Sequence, residues 1–301
     1  MPKMSWKFSG SGVALVTPFT EQDTINYDKL AELINYHAQH QTDALVIAGT
    51  TGEASTLSVE EHKELIRQSV QMADGKIPVI AGTGSNETPL AIELSVQAEE
   101  VGAEALLIVT PYYNKTNTKG LIKHYEAIAD SVHIPIILYN VPGRTGMNIS
   151  LEAMVELRQH ERIVGVKEAS GDITYASEIA RLCGADFMII SGNDDIVLPI
   201  MAIGGSGVIS VAANIVPTVM HQIVAHFQQG NILESRALQL KYNGLIHSLF
   251  FETNPIPIKT AMNLMGWEVG GLRLPLYEMG IVALERMKKE LQSLALWKAQ
   301  D

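Results

Sequence analysis

Short apolar runs rich in Val, Ile and Ala recur along this chain at intervals of about 20 to 35 residues, each followed by a longer segment with helical spacing. They cover residues 13–18, 44–48, 78–81, 105–110, 135–139, 163–167, 187–191 and 208–211, about eight in all. A strand that is apolar on both faces must be covered on both, and parallel strands joined by helices achieve this. Right-handed crossovers then close the units into an α/β fold of the (β/α)8 TIM barrel type. The doubly wound open sheet shares the alternation and is the main rival. It lacks its glycine fingerprint here, because Gly82-Thr83-Gly84 is followed by Ser85, Asn86 and Glu87.

Helix signals fill the gaps. Ser58 followed by Glu61 reads as a capping box before the Leu65, Ile66, Val70 face, and Asn26 reads as the cap of a helix carrying Leu30, Leu33 and Ile34. Beyond about residue 230 there is no further strand run, and 232–249, 256–265 and 276–296 read as helices. The expected organisation is a barrel carrying the active site over 1–230 and a C-terminal helical extension over 231–301. From Ile196 to Leu233 the chain has no Asp, Glu, Lys or Arg. Pro199, the Gly204-Gly205-Ser206-Gly207 turn, Asn214 and Pro217 cut this stretch into pieces too short for a bilayer, so a buried helix followed by a barrel strand is expected.

The net charge of −11, without a basic run, argues against nucleic acid or an anionic membrane as partner. Cys183 is the only cysteine, so no intrachain disulfide can form and a cytoplasmic setting is expected. Residues 1–10 have no apolar core of signal-peptide length. In its sequence context Cys183 reads as packing rather than nucleophile. His37 with His40, and His221 with His226, form no ligand signature with acidic partners, so no metal is expected.

In a barrel the catalytic groups come from the C-terminal ends of the strands. Lys167 ends the sixth run. A primary amine among apolar neighbours loses solvation in its ammonium form, which favours the neutral nucleophile that attacks a carbonyl. Taken alone, Lys167 reads first as a strand-end lysine whose amine reaches water. The other strand ends change that reading. They carry Gly49-Thr50-Thr51-Gly52-Glu53, Pro111-Tyr112-Tyr113-Asn114, Tyr139-Asn140 with Arg144 beyond, Ser191-Gly192-Asn193, and Val208-Ile209-Ser210. Each has a structural alternative: Tyr139 as a barrel aromatic, Thr50-Thr51 as a helix cap, Arg144 as a surface charge. Imine chemistry nonetheless needs this set, namely an amine, phenols to move protons, hydroxyl donors for a carboxylate, and an arginine able to clamp one.

These motifs, in order and over essentially the whole chain, resemble the pyruvate-dependent class I aldolases of the dihydrodipicolinate synthase and N-acetylneuraminate lyase family. The resemblance runs from Val13-Ala14-Leu15-Val16-Thr17-Pro18 to Asn254-Pro255-Ile256-Pro257-Ile258-Lys259. It implies a carbon-oxygen lyase of aldolase type in which Lys167 forms an imine with pyruvate and no other cofactor is needed. Tyr139 would act as general acid and base, with Thr50 and Tyr113 completing a proton relay. Thr51, with backbone near Gly192 and Ile209, would help hold pyruvate. Tyr113 would enter a neighbouring subunit's site, giving a homotetramer built from tight dimers. Pro142-Gly143-Arg144-Thr145 matches the synthase branch, where the arginine clamps the carboxylate of aspartate semialdehyde in lysine and diaminopimelate biosynthesis. A sibling aldolase acting on N-acetylneuraminate or a 2-keto-3-deoxy sugar acid is the alternative, and a barrel kept for ligand binding is a third. Val59 and Leu90 stand where lysine-inhibited members carry histidine and glutamate, while His62, Asn86 and Tyr112 match. Weak or absent inhibition by lysine is therefore expected.

Overall fold

In a computed structural model that describes residue 4 and residues 6–298, eight parallel strands close into a barrel in the order β1 to β8. They are β1 Gly10–Ala14, β2 Ala44–Ile47, β3 Val79–Gly82, β4 Ala105–Val109, β5 Ile136–Asn140, β6 Ile163–Glu168, β7 Met188–Ser191 and β8 Gly207–Ser210. The helices are α1 Tyr27–Gln39, α2 Val59–Ala73, α3 Thr88–Glu100, α4 Thr118–Asp130, α5 Pro142–Thr145, α6 Leu151–Leu157, α7 Ile173–Cys183, α8 Val197–Ala202, α9 Pro217–Gln228, α10 Ile232–Ser248, α11 Ile256–Leu264 and α12 Ile281–Ser293. This is the (β/α)8 barrel with C-terminal helices that the alternation implies.

Side-chain alternation along the strands splits the core in two. Leu45, Ile47, Ile136 and Leu138 point outward into the layer shared with the helices, whereas Ala44, Val46, Ile137 and Tyr139 point inward. The interior also holds Phe8, Met188 and Ile209, so the barrel is a packed core rather than a pore. Gly165 lets β6 lie against β7, since a Cβ there would stand 2.6 Å from the Met188 carbonyl oxygen.

The first strand lies earlier than its apolar run: β1 is Gly10–Ala14, not residues 13–18. Gly10 and Gly12 carry no strand-like side chain, yet the packing demands small residues. A Cβ on Gly10, whose φ is +118°, would meet the Asp43 carboxylate, and one on Gly207 would meet the Gly10 carbonyl. The last helix also starts later than expected, at Ile281, because Gly280 is its N-cap. The capping box is present, with the Ser58 side chain accepting from Glu61 N–H and the Glu61 side chain accepting from Ser58 N–H. Asn26 caps α1 through Lys29 N–H. The charge-free stretch folds as α8, β8 and α9, and among the described residues no helix is long and apolar enough to cross a membrane. Residues 1–3 and 5, part of the segment read for a signal peptide, and 299–301, the end of the extension, lie outside the described residues.

Within the buried face of α1, His37 is fully enclosed, with Nδ1 bonded to Thr42 Oγ1 at 2.9 Å. Burial first, then the neighbouring His40, lowers its pKa to about 3. The native state therefore keeps this ring neutral while the unfolded chain protonates it below its ordinary pKa, so stability falls as pH drops from about 6.5 towards 3. We expect His37 alone to cost roughly 4 kcal/mol by about pH 3.5. Denaturant midpoints measured across that range should fall less steeply in His37→Gln than in the native protein; equal slopes would contradict this origin.

Candidate active site

At the C-terminal mouth of the barrel, cross-strand register brings the two central groups together. Tyr139 on β5 pairs with Lys167 on β6, and both side chains are buried. The Lys167 Nζ sits 4.3 Å from the centroid of the Tyr139 ring, over its face. The next pair along the same strands, Asn140 and Glu168, anchors the strand ends. Asn140 Nδ2 donates to Glu168 Oε2 at 2.8 Å, and Ser170 N–H donates to Glu168 Oε1 at 2.6 Å. Burial pushes the Glu168 carboxyl up, against the lowering effect of these bonds.

Lys167 and Tyr139 line a cavity of about 170 Å³ with Thr50, Thr51, Arg144, Gly192, Asn193, Val211, Phe250 and Asn254. Gly192 permits close approach, since a Cβ there would lie 3.1 Å from the Lys167 Cε. Beneath its loop, Asp194 is fully buried and Oδ2 accepts from the Val211 and Ala212 N–H groups at 3.0 and 2.9 Å. Burial pushes the Asp194 carboxyl up; those bonds and the charge of Lys167 oppose the rise. A second, larger cavity of about 440 Å³ adjoins the first, sharing Thr50, Tyr139 and Arg144 and extending past Val59, His62, Leu90 and Tyr112.

Six of the eight residues expected at the site thus converge on one cavity, and two do not. The Ile209 side chain is buried in the inner apolar cluster that also holds Tyr139, and Val211, two residues on, lines the cavity. Tyr113 is 94% exposed on the loop after β4, with φ +69°, and does not reach this chain's own cavity. Among the described residues no group of three or more His, Cys, Asp or Glu side chains could hold a metal ion. Cys183 is buried in the outer core.

Sequence reasoning did not mark Phe250 or Asn254 as site residues. Phe250 and Asn254 come from the loop between α10 and α11, in the segment expected to be a peripheral extension. Asn254 Nδ2 donates to Thr51 Oγ1 at 2.9 Å, and Arg144 Nη2 donates to the Asn254 carbonyl at 2.9 Å. Just beyond, buried Lys259 donates to Glu53 Oε1 at 2.8 Å, to the Thr17 carbonyl at 3.0 Å and to the Gly271 carbonyl at 2.5 Å. Glu53 closes the Thr50-Thr51 turn in the left-handed region, at φ +54°. The Asn254–Lys259 motif signals the resemblance, and nothing in its own segment marks Asn254 or Lys259 as part of the site.

A closed parallel barrel with a buried lysine, a facing tyrosine and an arginine around one mouth cavity has the architecture of a (β/α)8-barrel enzyme. The model of the dihydrodipicolinate synthetase family matches residues 7–294, and the chain belongs to that family. It is 55% identical over 292 residues to the 4-hydroxy-tetrahydrodipicolinate synthase of Thermoanaerobacter pseudethanolicus, covering 97% of this chain and 98% of that one. Its fold is similar to the crystal structure of dihydrodipicolinate synthase from Aquifex aeolicus, with a TM-score of 0.94, 42% identity, and 96% and 99% of the two chains covered. The Acinetobacter baumannii dihydrodipicolinate synthase complexed with pyruvate is equally similar, with a TM-score of 0.94, 40% identity, and 96% and 100% covered.

Proposed function

We propose that this enzyme catalyses the 4-hydroxy-tetrahydrodipicolinate synthase reaction, condensing pyruvate with L-aspartate 4-semialdehyde on the route to diaminopimelate and lysine. The observation that carries the reading is the meeting of Lys167, Tyr139, the Thr50-Thr51 pair and Arg144 around one small cavity. The Lys167 amine attacks the keto carbon, and the carbinolamine loses water to give an imine. Loss of a methyl proton gives the enamine, whose carbon adds to the aldehyde carbon while the aldehyde oxygen takes a proton. Attack of the acceptor's own amine on the imine carbon closes the ring and frees Lys167. Tyr139 is placed in the role of moving these protons. The imine with substrate makes a separate cofactor unnecessary.

Thr51, with the Gly192 backbone, is assigned to the pyruvate carboxylate, and Arg144 to the carboxylate of the acceptor. Exposed Tyr113 supports a site shared between two copies, with Tyr113 of one chain completing the Thr50 and Tyr139 relay of the other, in a homotetramer of tight dimers. The lone cysteine supports a cytoplasmic setting. A coupled assay comparing aspartate semialdehyde with cleavage of N-acetylneuraminate tests the acceptor. Turnover of the semialdehyde is expected, and preference for the sugar acid would overturn the assignment. Arg144→Leu should lower kcat/KM for the semialdehyde about 100-fold, while borohydride trapping of pyruvate changes only a few-fold.

The larger cavity also bears on regulation. Its wall presents Val59 and Leu90, and burial lowers the pKa of His62, whose Nε2 bonds the Gly82 carbonyl at 2.8 Å. With no carboxylate from those positions, a lysine ammonium would be poorly compensated there. Added L-lysine should therefore inhibit weakly or not at all; half-maximal inhibition at millimolar concentration or below would refute this.

A further inference from the structure

The bonds of Asn254 link the two groups assigned to the two substrate carboxylates. Its side-chain amide donates to the Thr51 hydroxyl oxygen, and its backbone carbonyl accepts from the Arg144 guanidinium. A hydroxyl has one proton to give. When Asn254 supplies a donor to Thr51 Oγ1, that proton is left for another acceptor, and a carboxylate in the cavity is one. The carbonyl contact similarly takes one N–H of the otherwise exposed Arg144 and leaves its remaining donors for the acceptor substrate. Asn254 is itself buried, lines the cavity, and has a buried Oδ1 without a hydrogen-bond partner among the described residues. Such an unpaired acceptor is costly in a purely structural position.

We propose that Asn254 is a positioning residue for both substrates: its amide sets the Thr51 hydroxyl as a donor toward the pyruvate carboxylate, and its carbonyl aims Arg144 at the acceptor carboxylate. The inference rests on the reading of Lys167 as the imine-forming residue and extends it to a part of the chain outside the barrel. Aspartate at this position keeps the shape but offers only acceptors. Thr51 would then turn its proton toward residue 254 and away from substrate, and a negative charge would face an anionic ligand.

The test is the half-saturating concentration of pyruvate in borohydride trapping at Lys167, followed by mass spectrometry on the full chain, alongside steady-state KM and kcat. Asn254→Asp should raise the half-saturating concentration about 10- to 100-fold, with the labelling plateau retained. Asn254→Ala should raise it less, and reads the same quantity if the aspartate variant does not fold. Thr51→Val alone should also raise it, and adding Asn254→Ala should bring no further increase, because both changes remove one device. A merely structural role would lower the plateau and thermal midpoint without moving half-saturation. That result, or independent multiplying effects in the double variant, overturns the proposal. Unlabelled Lys167 in the native protein would overturn the imine reading and this inference with it; normal native labelling with unmoved variants overturns only the role of Asn254.

Discussion

Replacing Lys167 with Ala is expected to abolish turnover, lowering kcat by at least about a thousandfold while the barrel stays folded. In the proposed mechanism the amine forms the covalent bond, and the cavity holds no second amine among its lining residues. The loss would therefore appear in kcat and in kcat/KM together, as it does when an interaction made by the reacting atom is removed. Borohydride with pyruvate should add mass to the native chain at Lys167 and leave the alanine variant unlabelled. Full activity in the variant, or labelling elsewhere in an active native preparation, would refute covalent catalysis at this residue. The cavity beside Gly192 has little spare room, so alanine is a safer probe than any larger residue.

Lys259→Met is expected to have the largest effect on stability, about 3–5 kcal/mol. The Lys259 and Glu53 side chains are 1% and 0% exposed, and their atoms meet at 2.8 Å. Burial lowers the Lys259 pKa while Glu53 pulls it back up. Removing the ammonium strands a buried carboxylate that otherwise accepts from Arg273 N–H at 3.1 Å. The melting temperature should fall by about 10 °C. Activity should fall too, because Glu53 ends the turn that presents Thr50 and Thr51. The double variant Glu53→Gln with Lys259→Met should recover much of the loss, since the cost lies in the unpaired charge rather than in the missing attraction. A single variant within about 1 kcal/mol of the native protein would contradict that account.

The barrel was legible because its strands are buried on both faces, so each reads as an unbroken apolar run with the chemistry placed at its end. Lys167 and Tyr139 stood out for that reason, and β5–β6 pairing puts them opposite each other. β1 was misread because close packing against Asp43 and Gly207 selects glycine, which carries no strand signal. The resemblance assigns Ile209 to the substrate site through its backbone, and strand alternation turns its side chain into the barrel interior. Asn254 escaped because its partner Thr51 lies 203 residues away, and neither spacing nor periodicity reports a bond across such a distance. The same holds for Glu53 and Lys259, each of which looks like an ordinary surface charge in its own segment.

One consequence of the α10–α11 loop concerns the order in which the chain is made. Synthesis proceeds from the N-terminus at about 5–20 residues per second, and every strand of the barrel precedes Phe250, Asn254 and Lys259. A nascent chain that has already formed all eight strands still lacks the groups that pin Thr51, Arg144 and Glu53. Lys167 precedes those groups in the chain as well. The loop that completes this chain's side of the mouth thus emerges only after every barrel strand has been made.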